Sequence, residues 1–255
     1  MKDPKNILIS GASSGIGKQL AISYAKKNIN LFLTGRNKKR LEEIKKICQD
    51  KGAKVKIKDF DIKNGKECQK FITEIEKKHE IDLVIANAGI SAGTDGGAES
   101  FTQVKEIFDV NVNGVINLTH PAVEKMKKRK RGQIAIISSL AGFRGLPSSP
   151  AYSGSKAAVR VYAEGLRGNL SKLGIQVNTV CPGYIKTPMT DVNDFPMPFI
   201  MTPQKCAKKI IKGLEKNKSR ISFPFPLFFT VWFCALLPNR ITDPIFAKLP
   251  GKKSM

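Results

Sequence analysis

The chain's 255 residues are 41% hydrophobic and 25% charged, proportions that exclude a disordered or fibrous chain and allow one large α/β domain with a full core. Its formal charge of +23 arises from 44 Lys and Arg against 21 Asp and Glu. These lysines are spread over nearly every helical segment without zinc-finger spacing or interleaved aromatics, so we read a Lys-rich bias, part of it suited to an anionic ligand, and expect no nucleic-acid partner.

The five cysteines (Cys48, Cys68, Cys181, Cys206, Cys234) are odd in number and contain no Cys-x-x-Cys pair, which reads as reduced, intracellular thiols. His79 and His120 make no recognised metal spacing with them, so no metal is expected. Residues 1–6 run straight into an apolar strand and show no export signal.

Short apolar runs alternate with longer segments of 3.6-residue period, the pattern of a parallel sheet with crossover helices. A strand is expected over residues 6–10, then an amphipathic helix over 15–27. The next strand, 29–34, leads into a Lys/Glu-rich helix, 38–50, closed by Gly52. Strand 55–58 and helix 65–78 follow, then a strongly apolar strand, 81–86, fit for the middle of the sheet. A long helix is expected over 101–128, ending in basic residues that oppose its C-terminal dipole. Strand 133–139, helix 149–173 ended by Gly174, and strand 175–181 come next. Thr202-Pro203 opens a further helix with an N-cap and a proline at its first position, and 220–223 is a seventh strand. The expected fold is therefore α/β, a doubly wound, Rossmann-like parallel sheet of six to seven strands, occupying residues 1–223 as one domain. An apolar and basic extension, 224–255, follows it.

Gly11, Gly15 and Gly17 lie between the first strand and the first helix, with Ser13 and Ser14 among them. A chain needs glycine there for a tight turn, a close approach to phosphate, and close helix–sheet packing. The spacing is Gly-x-x-x-Gly-x-Gly rather than Gly-x-Gly-x-x-Gly. The second strand ends in Gly35 and Arg36, followed by Asn37. An NAD-preferring fold commonly has an acid at this point, whereas Arg36 offers a guanidinium to a 2′-phosphate, so NADP(H) is favoured over NAD(H). The competing reading is a solvated arginine that starts a basic helix. Farther on, Tyr152 and Lys156 sit four residues apart, on one helix face. A cation beside a phenol stabilises the phenolate and makes a general acid/base. Alone, the pair reads as a buried tyrosine and a solvated lysine that share a helix by chance.

Taken together, these motifs resemble the short-chain dehydrogenase/reductase family over residues 5 to about 222. Ser10–Gly17 is similar to Thr-Gly-x-x-x-Gly-x-Gly, with Ser in the leading place, and Ala86-Asn87-Ala88-Gly89 is similar to Asn-Asn-Ala-Gly. Asn111 matches the family's catalytic asparagine, Ser139 precedes Tyr152 by 13 residues as in the family, and Pro182-Gly183 with Ile185 and Thr187 matches its nicotinamide-bordering turn. The resemblance implies that Tyr152 exchanges the proton with a substrate oxygen. Lys156 would lower the Tyr152 pKa and bond the nicotinamide ribose, Ser139 would hold the substrate oxygen, and Asn111 would hold a relay water. It also implies cofactor contacts by Gly11, Ser13, Ser14, Gly15, Ile16, Gly17, Arg36, Asn37, Asp61, Ile62, Asn87, Ala88, Gly89, Tyr152, Lys156, Pro182, Gly183, Ile185 and Thr187, and a homodimer or homotetramer.

The segment 184–202 is rich in Met, Phe and Pro and reads either as a lid over a lipophilic substrate or as a packing loop. From Ile221 to Asn239 there is no charged residue, and the stretch is too short and too proline-broken to span a bilayer. Basic residues on both sides suit an interfacial anchor through 224–240, at the inner face of a membrane around a cytoplasmic enzyme. A helix over the substrate cleft and a subunit contact are the alternatives. The basic run from Lys125 to Arg131 reads as a solvated helix end. The functional expectation is an NADP(H)-dependent enzyme interconverting a carbonyl and a secondary alcohol on a lipophilic substrate. A 3-oxoacyl-thioester reductase is the alternative within enzymes, and a cofactor-sensing binding protein the alternative outside them.

Overall fold

A computed structural model describes residues 1–248 and 250–254. Seven strands form one parallel sheet in the order β3-β2-β1-β4-β5-β6-β7: β1 (Asn6–Ser10), β2 (Asn30–Gly35), β3 (Lys54–Asp59), β4 (Leu83–Ala86), β5 (Gly132–Ile137), β6 (Ile175–Pro182) and β7 (Arg220–Phe223). Side chains alternate across each strand and feed two separate cores. Ile7 and Ile9 point with Leu31, Leu33, Leu83 and Ile85 toward α1 (Gly15–Tyr24), α2 (Lys38–Asp50) and α7 (Pro203–Glu215). Leu8, Val84, Ile134 and Ile136 point the opposite way, toward Phe71 and Ile72 of α3 (Gly65–Glu76), Leu118 of α5 (Gly114–Arg129) and Val159 of α6 (Pro150–Ser171). Burial on both faces is why these strands read as continuous apolar runs. The strand order reverses between β1 and β4, and such a sheet offers its cleft beyond the carboxyl ends of the strands at that point.

The expected helix over 101–128 is interrupted. α4 (Phe101–Phe108) passes into a π-turn, Asp109–Asn113, before α5 resumes the α-helical path. One residue too many per turn leaves the apolar pattern nearly intact, so sequence periodicity does not show it. The expected fifth strand also stops short: Ser138 still bonds the Val180 carbonyl, but Ser139 turns away and caps a short 3₁₀ turn, Leu140–Gly142. All five cysteines are unpaired, and four are buried.

The extension folds back onto the body. α8 (Phe225–Leu236) starts among the prolines, because Pro226 falls in the first turn, where a missing N–H costs nothing. α9 (Asn239–Phe246) buries Thr242 and Phe246. Arg144 holds it in place, donating to Thr242 Oγ1 and pairing with Asp243 while its guanidinium lies 5.2 Å from the Phe246 ring centre. No helix among the described residues is long and apolar enough to cross a membrane.

Candidate active site

A cleft of about 860 Å³ opens along the carboxyl ends of β1, β4, β5 and β6. Its floor is the turn after β1. Gly11 adopts a φ of +63°, and a Cβ there would lie 2.8 Å from the Ala88 Cα. A Cβ on Gly17 would lie 2.4 Å from the Gly11 carbonyl oxygen, so only glycine lets α1 pack this close to the turn. The α1 N-cap, Ser14, makes no side-chain capping bond, and this leaves first-turn N–H groups for a ligand anion. The chain therefore fits a dinucleotide's diphosphate at this end. Ser10, almost fully buried, joins the floor to the next strand: its Oγ accepts from the backbone N–H of both Asn87 and Ala88, each at 3.1 Å. Asn87 Nδ2 returns a bond to the Ser10 carbonyl at 3.0 Å.

Arg36 and Asn37 border the cleft beyond β2, joined by Arg40 of the basic helix that follows, which the sequence did not single out for the site. Asn37 also caps α2 through the Arg40 N–H. Asp61 and Ile62 line the same end, with the Asp61 carboxylate accepting from the Lys63 N–H. Gly11, Ser13, Ser14, Gly15, Ile16, Asn87, Ala88, Gly89, Pro182, Gly183, Ile185 and Thr187 all line the cleft wall. Gly17 and Asn111 do not; both stand behind it. Asn111 is fully buried on the π-turn, where its Oδ1 accepts from the Ile90 N–H at 2.8 Å. Its Nδ2 donates to the Ile90 carbonyl and to Ser155 Oγ, both at 2.9 Å. Asn111 thus pins the loop after β4 to α6.

Ser139, Tyr152 and Lys156 meet at the centre of the cleft. Ser139 Oγ accepts from the Ala141 N–H at 3.1 Å, which orients it, and its hydroxyl lowers the pKa of the neighbouring Tyr152 phenol. Lys156 Nζ donates to the Ile137 carbonyl at 3.0 Å and lies 5.8 Å from the Tyr152 ring centre. Burial pushes the lysine down to about 8, and burial also pushes the phenol above its ordinary value, against the lowering effect of Ser139. This is the opposite of the direction expected from a neighbouring cation alone: here desolvation of the phenolate sets the direction.

The opposite wall belongs to elements whose placement the sequence left open. Leu227, Val231 and Cys234, at i, i+4 and i+7, turn one face of α8 into the cleft. The 184–202 segment closes another side. Met201 pairs with Ile185, Phe195 packs edge-on against Tyr184 at 6.3 Å, and Met189, Asn193 and Pro198 line the space. Lys252 reaches the same space from the C-terminal tail; in sequence it is one basic residue among 44.

The short chain dehydrogenase family profile matches residues 5–195. An uncharacterized oxidoreductase of Myxococcus xanthus is 33% identical over 246 residues, covering 96% of this chain and 97% of that one. A protein named 11-beta-hydroxysteroid dehydrogenase-like 2 of Arabidopsis thaliana is 36% identical over 230 residues, covering 86% of this chain and 73% of its own. A short-chain dehydrogenase from Sphingobium yanoikuyae, solved in complex with NADPH, shares the fold with a TM-score of 0.80 at 22% identity, covering 96% of each chain. The chain belongs to the short-chain dehydrogenase family. It is an oxidoreductase of the CH–OH/C=O class with a nicotinamide-cofactor fold.

Proposed function

We propose that the protein is an NADP(H)-dependent oxidoreductase that interconverts a ketone and a secondary alcohol on a lipophilic substrate. The observation that carries this reading is the meeting of Ser139, Tyr152 and Lys156 at the foot of a wall made by an uncharged helix, α8. When bound, the cofactor supplies or accepts the hydride. Ser139 Oγ holds the substrate oxygen beside the Tyr152 hydroxyl. In reduction the carbonyl π bond breaks, a C–H bond forms, and Tyr152 delivers its proton to the oxygen. The Lys156 charge stabilises the phenolate that remains, Tyr152 regains its proton from solvent through a relay, and Asn111 keeps the loop after β4 in register for that relay. An elevated phenol pKa keeps Tyr152 in its proton-donating form, which suits reduction near neutral pH.

Arg36 and Arg40, with no acid at the end of β2, support NADP(H) over NAD(H). Residues 184–202 act as the substrate lid over a catalytic domain, 1–223, and the extension supplies the remaining wall. Because α8 is apolar on every side, its second face stays outward: Phe225, Phe229, Trp232, Phe233 and Leu236 are exposed. Ile241 and Ile245 of α9 extend the patch, with Arg240 and Lys248 alongside. That combination supports contact with an anionic leaflet at the inner face of a membrane. Exposed Phe108, Ile116 and Val161 on α4–α6 support a homodimer or homotetramer through those helices.

The test is a panel of ketones and secondary alcohols of increasing chain length, assayed with NADPH and with NADH by cofactor absorbance. Turnover that rises with chain length and prefers NADPH is expected. Wild-type-like turnover by Tyr152→Phe sinks the assignment, and preference for NADH removes the role given to Arg36. Flotation with anionic vesicles tests the membrane contact, and recovery of all protein in the unbound fraction at low salt refutes it.

A further inference from the structure

The C-terminal tail returns to the cleft as a strap. The Gly93 N–H donates to the Lys253 carbonyl at 2.6 Å, and the Asp95 N–H donates to the Lys252 carbonyl at 2.8 Å. This is contact of backbone on backbone: a Cβ on Gly93 would lie 2.2 Å from the Lys252 carbonyl oxygen. The strap aims the two lysines in opposite directions. Lys253 points outward and pairs with Asp194 at 3.5 Å. Lys252 points inward, where its Nζ lies 2.5 Å from Ser91 Oγ and 5.4 Å from the Tyr152 ring centre.

Among the described residues no carboxylate lies within 4.0 Å of the Lys252 ammonium, and its hydrogen-bond partner there is a neutral hydroxyl. Burial has pushed it down to about 8. Of the other cations near it, Arg144 is already engaged by Asp243 and Thr242, and Lys156 donates to the Ile137 carbonyl. An ammonium taken from water is costly unless an opposite charge meets it. Here a backbone strap delivers one to the Tyr152 ring, with Leu227, Val231 and Cys234 of α8 on the facing wall.

We propose that Lys252 is the carboxylate-binding residue of the substrate end, and that the substrate class is a lipophilic oxo or hydroxy acid whose carboxylate lies close to the reacting carbon. This deepens the reading of the cleft as a ketone/alcohol site and rests on it. The long apolar part of such a molecule would run along Leu227, Val231 and Cys234, while Lys252 and Ser91 take the acid group. Substrate then enters and leaves when the strap parts from Gly93 and Asp95.

The experiment is calorimetric binding to the full-length protein saturated with NADP+, with decanoate and decan-1-ol as matched probes. Wild type is expected to bind decanoate more tightly than the alcohol by about ten-fold or more, the effect of a hydrogen bond to a charged group. Lys252→Met abolishes that preference, and Lys252→Arg keeps it. Lys253→Met, changed at the neighbouring outward position, also keeps it. Thermal melts of all four proteins check that each is folded. No preference in wild type, or an undiminished preference in Lys252→Met, overturns the proposal. Ketone turnover distinguishes the two readings. Decanoate selectivity that depends on Lys252, in a protein that reduces none of the panel, refutes the reductase reading alone. NADPH-dependent reduction in a protein with no decanoate preference refutes the role of Lys252 alone.

Discussion

Replacing Lys156 with methionine gives a stability change whose pH dependence follows from the site. Burial lowers this lysine from 10.5 to about 8, a gap of about 2.5 pH units. A depressed folded-state pKa means that the unfolded chain binds the proton more tightly. Folding is therefore penalised in full below about pH 8, and the penalty fades as pH rises toward the unfolded value. At about 1.4 kcal/mol per pH unit the full penalty is about 3 kcal/mol, most of which is relieved between pH 7 and pH 10. Methionine keeps the apolar stem and deletes the titration. It also leaves the Ile137 carbonyl without its bond, costing about 1 to 3 kcal/mol at every pH. The offset between the two proteins at pH 7 can thus take either sign, but its slope cannot. Urea unfolding at several pH values from 7 to 10 should show the variant losing about 2 to 3 kcal/mol relative to wild type across that range. Taking the difference cancels Lys252, which is present in both proteins and is also lowered to about 8, while burial pushes the thiols of Cys48, Cys68, Cys181 and Cys206 up to about 11 or 12, above the range scanned. A stability difference that stays constant with pH would refute the reasoning.

Gly17→Ala forces a Cβ to within 2.4 Å of the Gly11 carbonyl oxygen and 2.5 Å of Asn87 Nδ2. It should cost about 1 to 3 kcal/mol by thermal unfolding and weaken NADPH binding by about ten-fold or more in a fluorescence titration. Ser10→Ala leaves the Asn87 and Ala88 N–H groups without their acceptor and should cost about 2 to 4 kcal/mol, whereas Ser10→Thr should recover most of it because the hydroxyl returns. Arg36→Ala should weaken NADPH binding by about 10- to 100-fold while moving NADH by no more than about two-fold, measured by the same titration.

The features legible in sequence were those made by neighbours in the chain. The glycine turn, the Tyr152/Lys156 spacing and the strand-and-helix alternation each occupy a few consecutive residues, and each requires the backbone it receives. The π-turn at Asn111 was not legible, because one added residue barely disturbs an apolar period. It goes with a distant partner: the Asn111 side chain satisfies both backbone groups of Ile90, 21 residues away. The raised Tyr152 pKa was not legible for a related reason: the sequence displays the cation and hides the burial that desolvates the phenol.

The extension shows where such reading stops in principle. A helix declares its orientation by contrast between its faces, and α8 has no contrast to offer, with no charged residue from Phe225 to Leu236. Membrane anchor and cleft cover were posed as alternatives for it, yet a helix that is apolar all round can take on both tasks at once. Leu227, Val231 and Cys234 wall the cleft, while Phe229, Trp232 and Phe233 face out. If the outer face docks on lipid, the inner face already lines the route to Tyr152, so a lipophilic substrate would pass from leaflet to cleft along one element. The same geometry explains why polar anchoring comes from elsewhere. With α8 unable to make an ion pair, the extension is fixed by Arg144 on α9 at one end and by the strap on Gly93 and Asp95 at the other.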